Sequence, residues 1–270
     1  MATTAQRQPA IFLPHGGGPC FFMDWTWGPA DTWNATRRFL EGLVATLPEP
    51  PKAMLVISGH WEEPAFTAST APRPELIFDY SGFPEHTYRL TWPAPGDPEL
   101  AVRAAALLNQ AGLPSAMSPT RGFDHGVFVP LKVAFPEARI LVVTLSLAAS
   151  LDPALHLAAG RALAPLRDEG VLIVGSGMSF HNLRGYLRPE TPERARAFDA
   201  WLTRAVESSA AERDALLTRW RDAPFAAYAH PREEHLIPLM VAAGAGGEAP
   251  GTRIFTDEPM SAAISAYRFD

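Results

Sequence analysis

Histidine is the residue type that most clearly suggests metal binding or catalysis here, because several of the eight histidines follow short apolar runs. His15 stands in LPHGGGP, His60 in VISGHW and His181 in VGSGMSFHN, each at or beyond the end of such a run. His125, in GFDHGVF, comes just before a predicted helix. A single histidine in this setting is more often a hydrogen-bonded core or surface residue. Several together favour a shared metal site.

Two further histidines lie in HPREEHLIPL, and only one of them suits such a site. His230 and His235 are five residues apart, so on one helix they would face different directions. Pro238 is tolerated in a first turn but not in a helix interior, which predicts a helix that begins near residues 233–235. His235 would then lie in the first turn, whereas Pro231 keeps His230 extended. We therefore select His235 as the ligand.

The elements that must position these side chains alternate between strands and helices. Four continuous apolar runs, typical of strands covered on both faces, occupy residues 10–14, 53–59, 140–147 and 171–177. Helical patterns occupy residues 31–47, 98–111, 127–135, 153–167 and 192–205. The alternation predicts an α/β fold: one domain over residues 1–270, with a central, mostly parallel or mixed sheet and helices on both faces.

This fold predicts where the histidines meet. Ligands of open α/β sheets bind beyond the carboxyl ends of the strands, so His15, His60 and His181 are expected at one edge of the sheet. Residues 64–96 fit neither the helical nor the strand period. We predict that they form an excursion from the core that covers the site.

Composition and charge narrow the functional classes. The 270 residues are 47% hydrophobic, enough for a sizeable core, and the formal net charge of −6 favours neither nucleic acid nor an anionic membrane as partner. No apolar run reaches the roughly 18 residues of a membrane span, and no signal-peptide pattern is present, so we expect a soluble cytoplasmic protein. Cys20 is the only cysteine, so any metal must rest on histidine, carboxylate or carbonyl ligands. The sequence specifies no oligomeric state.

In chain order, these motifs resemble the 4,5-DOPA extradiol dioxygenase family of the class III extradiol ring-cleavage dioxygenases. The matching segments are LPHGGGP, SGHW, FDYSGFPEHTYRLTWPAPG, DHGVFVPLKVAFPEA, GSGMSFHNLR and HPREEHLIPL, which span nearly the whole chain. The resemblance implies one α/β domain that binds a mononuclear non-haem Fe(II), with zinc in the same position in some relatives. It also implies an enzyme that inserts O₂ into a catechol-type aromatic, with a small aromatic diol and O₂ as its partners.

The resemblance further implies a role for each histidine. The metal ligands would be His15, His60 and His235. His181 would be the catalytic acid or base, near enough to the metal to be a fourth ligand when substrate is absent. His125 would line the pocket and form a hydrogen bond to oxygen or substrate.

Two alternatives remain open at this point. If the third ligand were one residue earlier in the chain, Glu234 would take the place of His235. The ligands would then be the two-histidine, one-carboxylate triad of many Fe(II) oxygenases. Adjacent helical side chains diverge by about 100°, so both cannot face one metal, and we retain His235. The alternative function is a zinc-dependent hydrolase on the same histidines, because a bound divalent metal can also activate water.

Substrate contacts are less specific in the sequence. Several aromatic residues of the covering segments are candidates to pack a catechol ring, or to pack only one another: Trp25, Trp27, Phe83, Tyr88 and Trp92. Arg121 and Arg184 adjoin histidine motifs and are candidates to pair with a substrate carboxylate, or are surface charges.

Overall fold

The four apolar runs form the centre of an eight-stranded sheet in the computed structural model, which describes residues 6–270. The strands are β1 (Ala10–Pro14), β2 (Ala53–Glu63), β3 (Phe66–Ser69), β4 (Ser115–Ser118), β5 (Leu141–Ala148), β6 (Val171–Gly177), β7 (Thr252–Asp257) and β8 (Ile264–Phe269). Their order in space is β4-β3-β5-β2-β6-β1-β8-β7. The predicted runs are the four neighbours β5, β2, β6 and β1, and they are parallel. β8 pairs antiparallel with β1, and β3 with β5, so the sheet is mixed.

Helices connect and cover these strands. They are α1 (Asn34–Gly42), α2 (Pro98–Gln110), α3 (His125–Ala134), α4 (Pro153–Leu163), α5 (Pro165–Asp168), α6 (Thr191–Glu207), α7 (Ala210–Thr218), α8 (Ala226–Ala229) and α9 (Ile237–Gly246). α2 and α4 begin as their sequences predict, with an aspartate cap followed by proline. The carboxylates of Asp97 and Asp152 accept hydrogen bonds from first-turn N–H groups. Among residues 6–270, no helix combines the length and apolar character that crossing a membrane requires.

The centre of the sheet carries the core. β1 and β6 are buried at every residue, as expected when both faces of a sheet are covered. α9 is also buried along its whole length and packs against α4 and β6. The structure therefore confirms the predicted α/β fold.

Several elements differ from the sequence-based prediction. β2 continues to Glu63, beyond the predicted end at Gly59. Residues 64–96 are not wholly outside the core, because β3 lies within them and pairs with β4 and β5. β3 and β4 have four residues each, too few for a periodic signal, and β7 is a largely exposed edge strand. The helix predicted over residues 31–47 is shorter, since α1 ends at Gly42 and a 3₁₀ turn follows.

Candidate active site

Three neighbouring parallel strands bring histidines to one edge of the sheet. His15 directly follows β1 and continues its pairing, because its N–H donates to the carbonyl of Gly177 at 3.1 Å. His60 lies in β2, within the stretch where the register with β5 shifts, an irregularity of the kind that re-aims side chains. His181 lies a few residues beyond β6, and its N–H donates to the carbonyl of Ala229. β6 lies between β1 and β2, so the three residues share one edge.

His235 reaches the same edge from the turn before α9. The helix begins at Ile237, so the prediction that His235 lies inside its first turn was wrong by two residues. The N–H groups of Leu236 and Ile237 both donate to the carbonyl of Glu233, which forms a separate turn around His235. This turn lies directly on β6, where a Cβ atom at Gly177 would come within 2.1 Å of the His235 carbonyl oxygen. Only glycine permits that approach.

The imidazole rings of His15, His60 and His235 converge through their Nε2 atoms. The Nε2 atom of His60 lies 3.3 Å from that of His15 and 3.2 Å from that of His235. One ring nitrogen of each residue lies within 4.8 Å of the other two, the spacing of a group that could hold a metal ion. His15 and His235 are almost completely buried.

Each of these rings has an acceptor at its other nitrogen. Nδ1 of His15 lies 2.9 Å from the carbonyl oxygen of the next residue. Nδ1 of His235 lies 2.8 Å from the carboxylate of Glu234, and Nδ1 of His60 lies 3.5 Å from the carboxylate of Asp79. Carbonyl and ionised carboxylate oxygens only accept hydrogen bonds, so we assign the ring proton to Nδ1 in all three.

Burial keeps the three rings neutral. Desolvation is the main reason that the pKa values of His15 and His235 lie well below the ordinary value. Desolvation, followed by repulsion from His125, lowers the pKa of His60 to about 3. A neutral imidazole holds one proton, which Nδ1 keeps, so three Nε2 lone pairs face one another without a donor. These residues therefore fit a divalent metal with a preference for imidazole, such as iron or zinc.

His181 and Glu234 lie directly beside this centre. The ring of His181 stacks on that of His235, with centroids 3.4 Å apart and planes 20° apart. Nδ1 of His181 lies 3.3 Å from Oε1 of Glu234, the same oxygen that faces His235. Burial opposes ionisation of Glu234, but the hydrogen bond from His181 and the charge of Arg232 outweigh it, and the pKa of Glu234 is lowered. The Glu234 carboxylate thus bridges two imidazoles.

His125 begins α3 and lies beside His60, with ring centroids 4.0 Å apart. Its Nδ1 and its backbone N–H both donate to Oδ1 of Asp79, at 2.8 and 2.9 Å. Burial opposes ionisation of Asp79, yet the hydrogen bonds from His125 and the nearby charges lower its pKa to about 2. We did not single out Asp79 in the sequence. In the sequence, Asp79 is marked only as an acidic residue within the FDYSG segment.

A cavity of about 630 Å³ opens onto the histidines. Its walls are five histidines, three consecutive glycines, and aromatic or aliphatic side chains: Trp25, Trp27, Trp33, Tyr80, Phe83, Met178, Leu183, Tyr186, Leu187 and Met260. Three of the aromatic candidates therefore line the cavity, namely Trp25, Trp27 and Phe83. Trp92 is a core residue that donates to the carbonyl of Phe135, and Tyr88 packs behind the wall against Tyr80.

The two arginine candidates do not line this cavity. Arg121 donates to the carboxylate of Asp124 at 2.6 Å and lies 4.9 Å from the centre of the Trp61 ring. Arg184 is exposed.

The remaining histidines have other environments. His156 is buried, with Nδ1 donating to the carbonyl of Asp152 and Nε2 accepting from the N–H of Ala148. His230 is buried with its Nε2 3.0 Å from the carbonyl of Ser179. His86 is exposed. None of the three lines the cavity, so the choice of His235 over His230 agrees with the geometry.

A mixed α/β sheet that gathers neutral imidazoles beside a cavity with aromatic walls defines a class: proteins with a potential metal site next to an apolar cavity. A family model described as the catalytic LigB subunit of aromatic ring-opening dioxygenase matches residues 9–269. The chain therefore belongs to this family of extradiol dioxygenases, and the resemblance seen in the sequence is confirmed.

Individual relatives agree with the family match. Dioxygenase tasH of Hapsidospora irregularis is 40% identical over 276 residues, which cover 96% of this chain and 84% of that protein. The 4,5-DOPA dioxygenase extradiol of Beta vulgaris is 40% identical over 225 residues, 81% of this chain and 82% of that protein. The crystal structure of uncharacterized protein JW3007 from Escherichia coli K12 is similar with a TM-score of 0.79 and 29% identity, covering 98% of this chain and 100% of that one.

Proposed function

We propose that the protein is an extradiol ring-cleaving dioxygenase that inserts O₂ into a catechol-type aromatic, with Fe(II) held by His15, His60 and His235. The observation that carries the proposal is the convergence of three neutral Nε2 atoms beside a cavity with aromatic walls. Fe(II) supplies, when bound, electron transfer between catecholate and O₂, which d¹⁰ zinc cannot supply because it does not change redox state. With three protein ligands, the bound metal would have room for both substrates.

The reaction needs no external reductant. One ring carbon–carbon bond next to the two hydroxyl groups breaks, and both atoms of O₂ enter the product. One of the new ends is an aldehyde and the other a carboxylate. The two electron pairs that reduce O₂ come from the catechol itself.

His181 is suited to move the substrate proton. Its Nδ1 faces the ionised Glu234, so its Nε2 is the nitrogen that we assign to accept a proton from a catechol hydroxyl. The same nitrogen returns the proton when the oxygen–oxygen bond breaks. General acid–base catalysis of this kind contributes about 10²- to 10⁴-fold.

His125 is suited to stabilise negative charge on an oxygen atom. Asp79 holds Nδ1 and therefore fixes the ring, which lines the cavity next to His60. A ring whose orientation is set in advance loses little freedom when it donates a hydrogen bond, and such preorganised donors are effective in buried sites.

The test is anaerobic loading with Fe(II) followed by O₂ uptake on a panel of catechols. We expect one O₂ consumed per catechol and a ring-opened product that absorbs visible light. The same panel with the Zn(II)-loaded protein should consume no O₂. The hydrolase alternative is less well supported, since the named relatives are dioxygenases. The hydrolase alternative would be favoured if the fully iron-loaded protein took up no O₂ with any catechol and the zinc form hydrolysed esters or amides.

A further inference from the structure

The cavity has two chemically different ends. Its inner end consists of imidazoles from buried or partly buried residues. Its mouth carries large apolar side chains exposed to solvent: Trp27 at 55%, Leu183 at 74% and Leu187 at 55%. A cluster of exposed apolar side chains around an opening is unfavourable in water and is typical of a surface that a ligand covers.

No lysine, arginine, aspartate or glutamate of the described chain lines the cavity. Three polar atoms of its aromatic walls are engaged, whereas Nε1 of Trp33 is buried without a hydrogen-bond partner among the described residues. The hydroxyl groups of Tyr80 and Tyr186 donate to backbone carbonyls at 2.7 and 3.2 Å. Trp25 Nε1 donates to the carbonyl of Trp27 at 3.0 Å. Between the imidazoles and the mouth, a charged group of a ligand would thus meet no ionic partner.

The cavity is larger than a bare catechol needs. Its volume of about 630 Å³ lies within the range of roughly 300–1,000 Å³ that suits drug-sized ligands. With the two catechol oxygens at the imidazole end, the rest of the space would be filled by a substituent on the ring. Everything that this substituent touches is aromatic, aliphatic or glycine.

We propose that the substrate is a catechol with an uncharged, apolar substituent that packs against Trp27, Leu183 and Leu187, and that the cavity discriminates against a carboxylate in that position. The inference rests on the proposed ring-cleaving function for the placement of the diol. Its physical basis is that an apolar substituent covers the exposed side chains of the mouth, whereas a carboxylate packed against them would lose part of its hydration and meet no charged partner in the cavity wall. The amino acid group of DOPA, named in the Beta vulgaris relative, carries such a carboxylate.

A matched pair of substrates tests the inference. 3-(3,4-Dihydroxyphenyl)propanoate and its methyl ester share the dihydroxyphenylpropanoyl group, and the ester replaces the negative charge at its end with one uncharged methyl group. With the Fe(II)-loaded protein, O₂ uptake should give a kcat/KM about tenfold or more higher for the ester. With the Zn(II)-loaded protein, quenching of tryptophan fluorescence gives the dissociation constants, and the ester should again bind about tenfold more tightly. Trp25, Trp27 and Trp33 lie in the wall and serve as reporters.

A charge introduced at the mouth should change the preference. Leu183→Arg places a guanidinium at a highly exposed position of the rim, so the ester-to-acid ratio should fall about tenfold in both measurements. The control is Val102→Arg, which adds the same charge on α2 at an exposed position away from the cavity. It should leave the ratio as in the parent protein.

The outcomes separate the two proposals. Equal or better binding and turnover of the acid would overturn the apolar-substituent inference and leave the dioxygenase proposal intact. Tighter binding of the ester without O₂ uptake from either compound would overturn the dioxygenase proposal and support the inference about the cavity. A Leu183→Arg protein with an unchanged ratio would also count against the inference, because the substituent would then not reach the rim.

Discussion

The inner end of the cavity and its mouth are built in different ways. The inner histidines stand in or just beyond strands, in a turn on the sheet or at the start of a helix, and each ring nitrogen Nδ1 faces a carbonyl or carboxylate oxygen. The mouth comes from loops, in which Leu187 and Met260 have φ angles of 61° and 51°, uncommon for residues other than glycine. A backbone hydrogen bond from Leu187 to Met260 joins two of these loops. The catalytic histidines lie on a rigid scaffold, whereas the residues that would contact the substrate lie on loops. The loops can therefore change in sequence without disturbing the histidines.

The largest effect should come from His235→Ala at the inner end. Removal of one of three imidazoles leaves two ligands, so bound iron should fall well below one atom per chain. Activity should fall by more than the roughly 100-fold that outer-shell changes cause. Metal analysis and O₂ uptake measure both. His86→Ala, a histidine exposed outside the cavity, is the matched control and should retain both properties. A His235→Ala protein with full iron content would show that this residue is not a ligand.

His181→Ala should separate proton transfer from metal binding. The variant should lose about 10²- to 10⁴-fold in kcat, because the substrate proton has no acceptor, while bound iron stays near the level of the parent protein. The same metal analysis and O₂ assay apply. Loss of all iron in this variant would instead make His181 a permanent ligand.

The sequence was most informative where the fold is most regular. The runs at β1, β2, β5 and β6 are continuous and apolar, and they define the parallel centre of the sheet. Because the carboxyl ends of parallel strands share one edge, the meeting of His15, His60 and His181 follows from that order. Strands β3 and β4 were missed because they are short, and the edge strand β7 was missed because it is largely exposed.

The partners of the histidines were harder to predict. Asp79 lies 46 residues from His125 in the chain, and no periodicity links the two. Glu234 was weighed only as a rival ligand, whereas its carboxylate faces the Nδ1 atoms of His181 and His235. The apolar mouth was equally hard to predict from the sequence, because it is assembled from loops whose relative positions depend on tertiary packing.

Asp79→Asn should have an intermediate effect, since it keeps an acceptor for His125 and removes the charge. We expect kcat/KM to fall about 10- to 100-fold, the range for residues that orient a site from behind. Iron content, measured in parallel, should change less than in His235→Ala. Full activity in this variant would show that the charge of Asp79 does not contribute to the orientation of His125.

The same variant has a defined pH dependence of stability. The folded protein lowers the pKa of Asp79 from 3.8 to about 2, so this carboxylate stabilises the fold above about pH 4. The contribution is lost as the pH falls from about 4 towards 2. Urea unfolding of metal-free protein should therefore show parent and Asp79→Asn converging in stability at low pH.

Trp27→Ala should have the smallest effect, and the effect should depend on the substrate. The ring of Trp27 packs against Trp25 and Phe83 at the mouth and is more than half exposed. Its removal should lower kcat/KM about tenfold for the methyl ester, which loses apolar contact area at the rim. Unsubstituted catechol, which does not reach the rim, should lose less than about threefold. Met117→Ala, an exposed apolar residue on β4, is the control. Equal losses for both substrates would mean that Trp27 supports the inner end, and the division of the cavity into two independent ends would not hold.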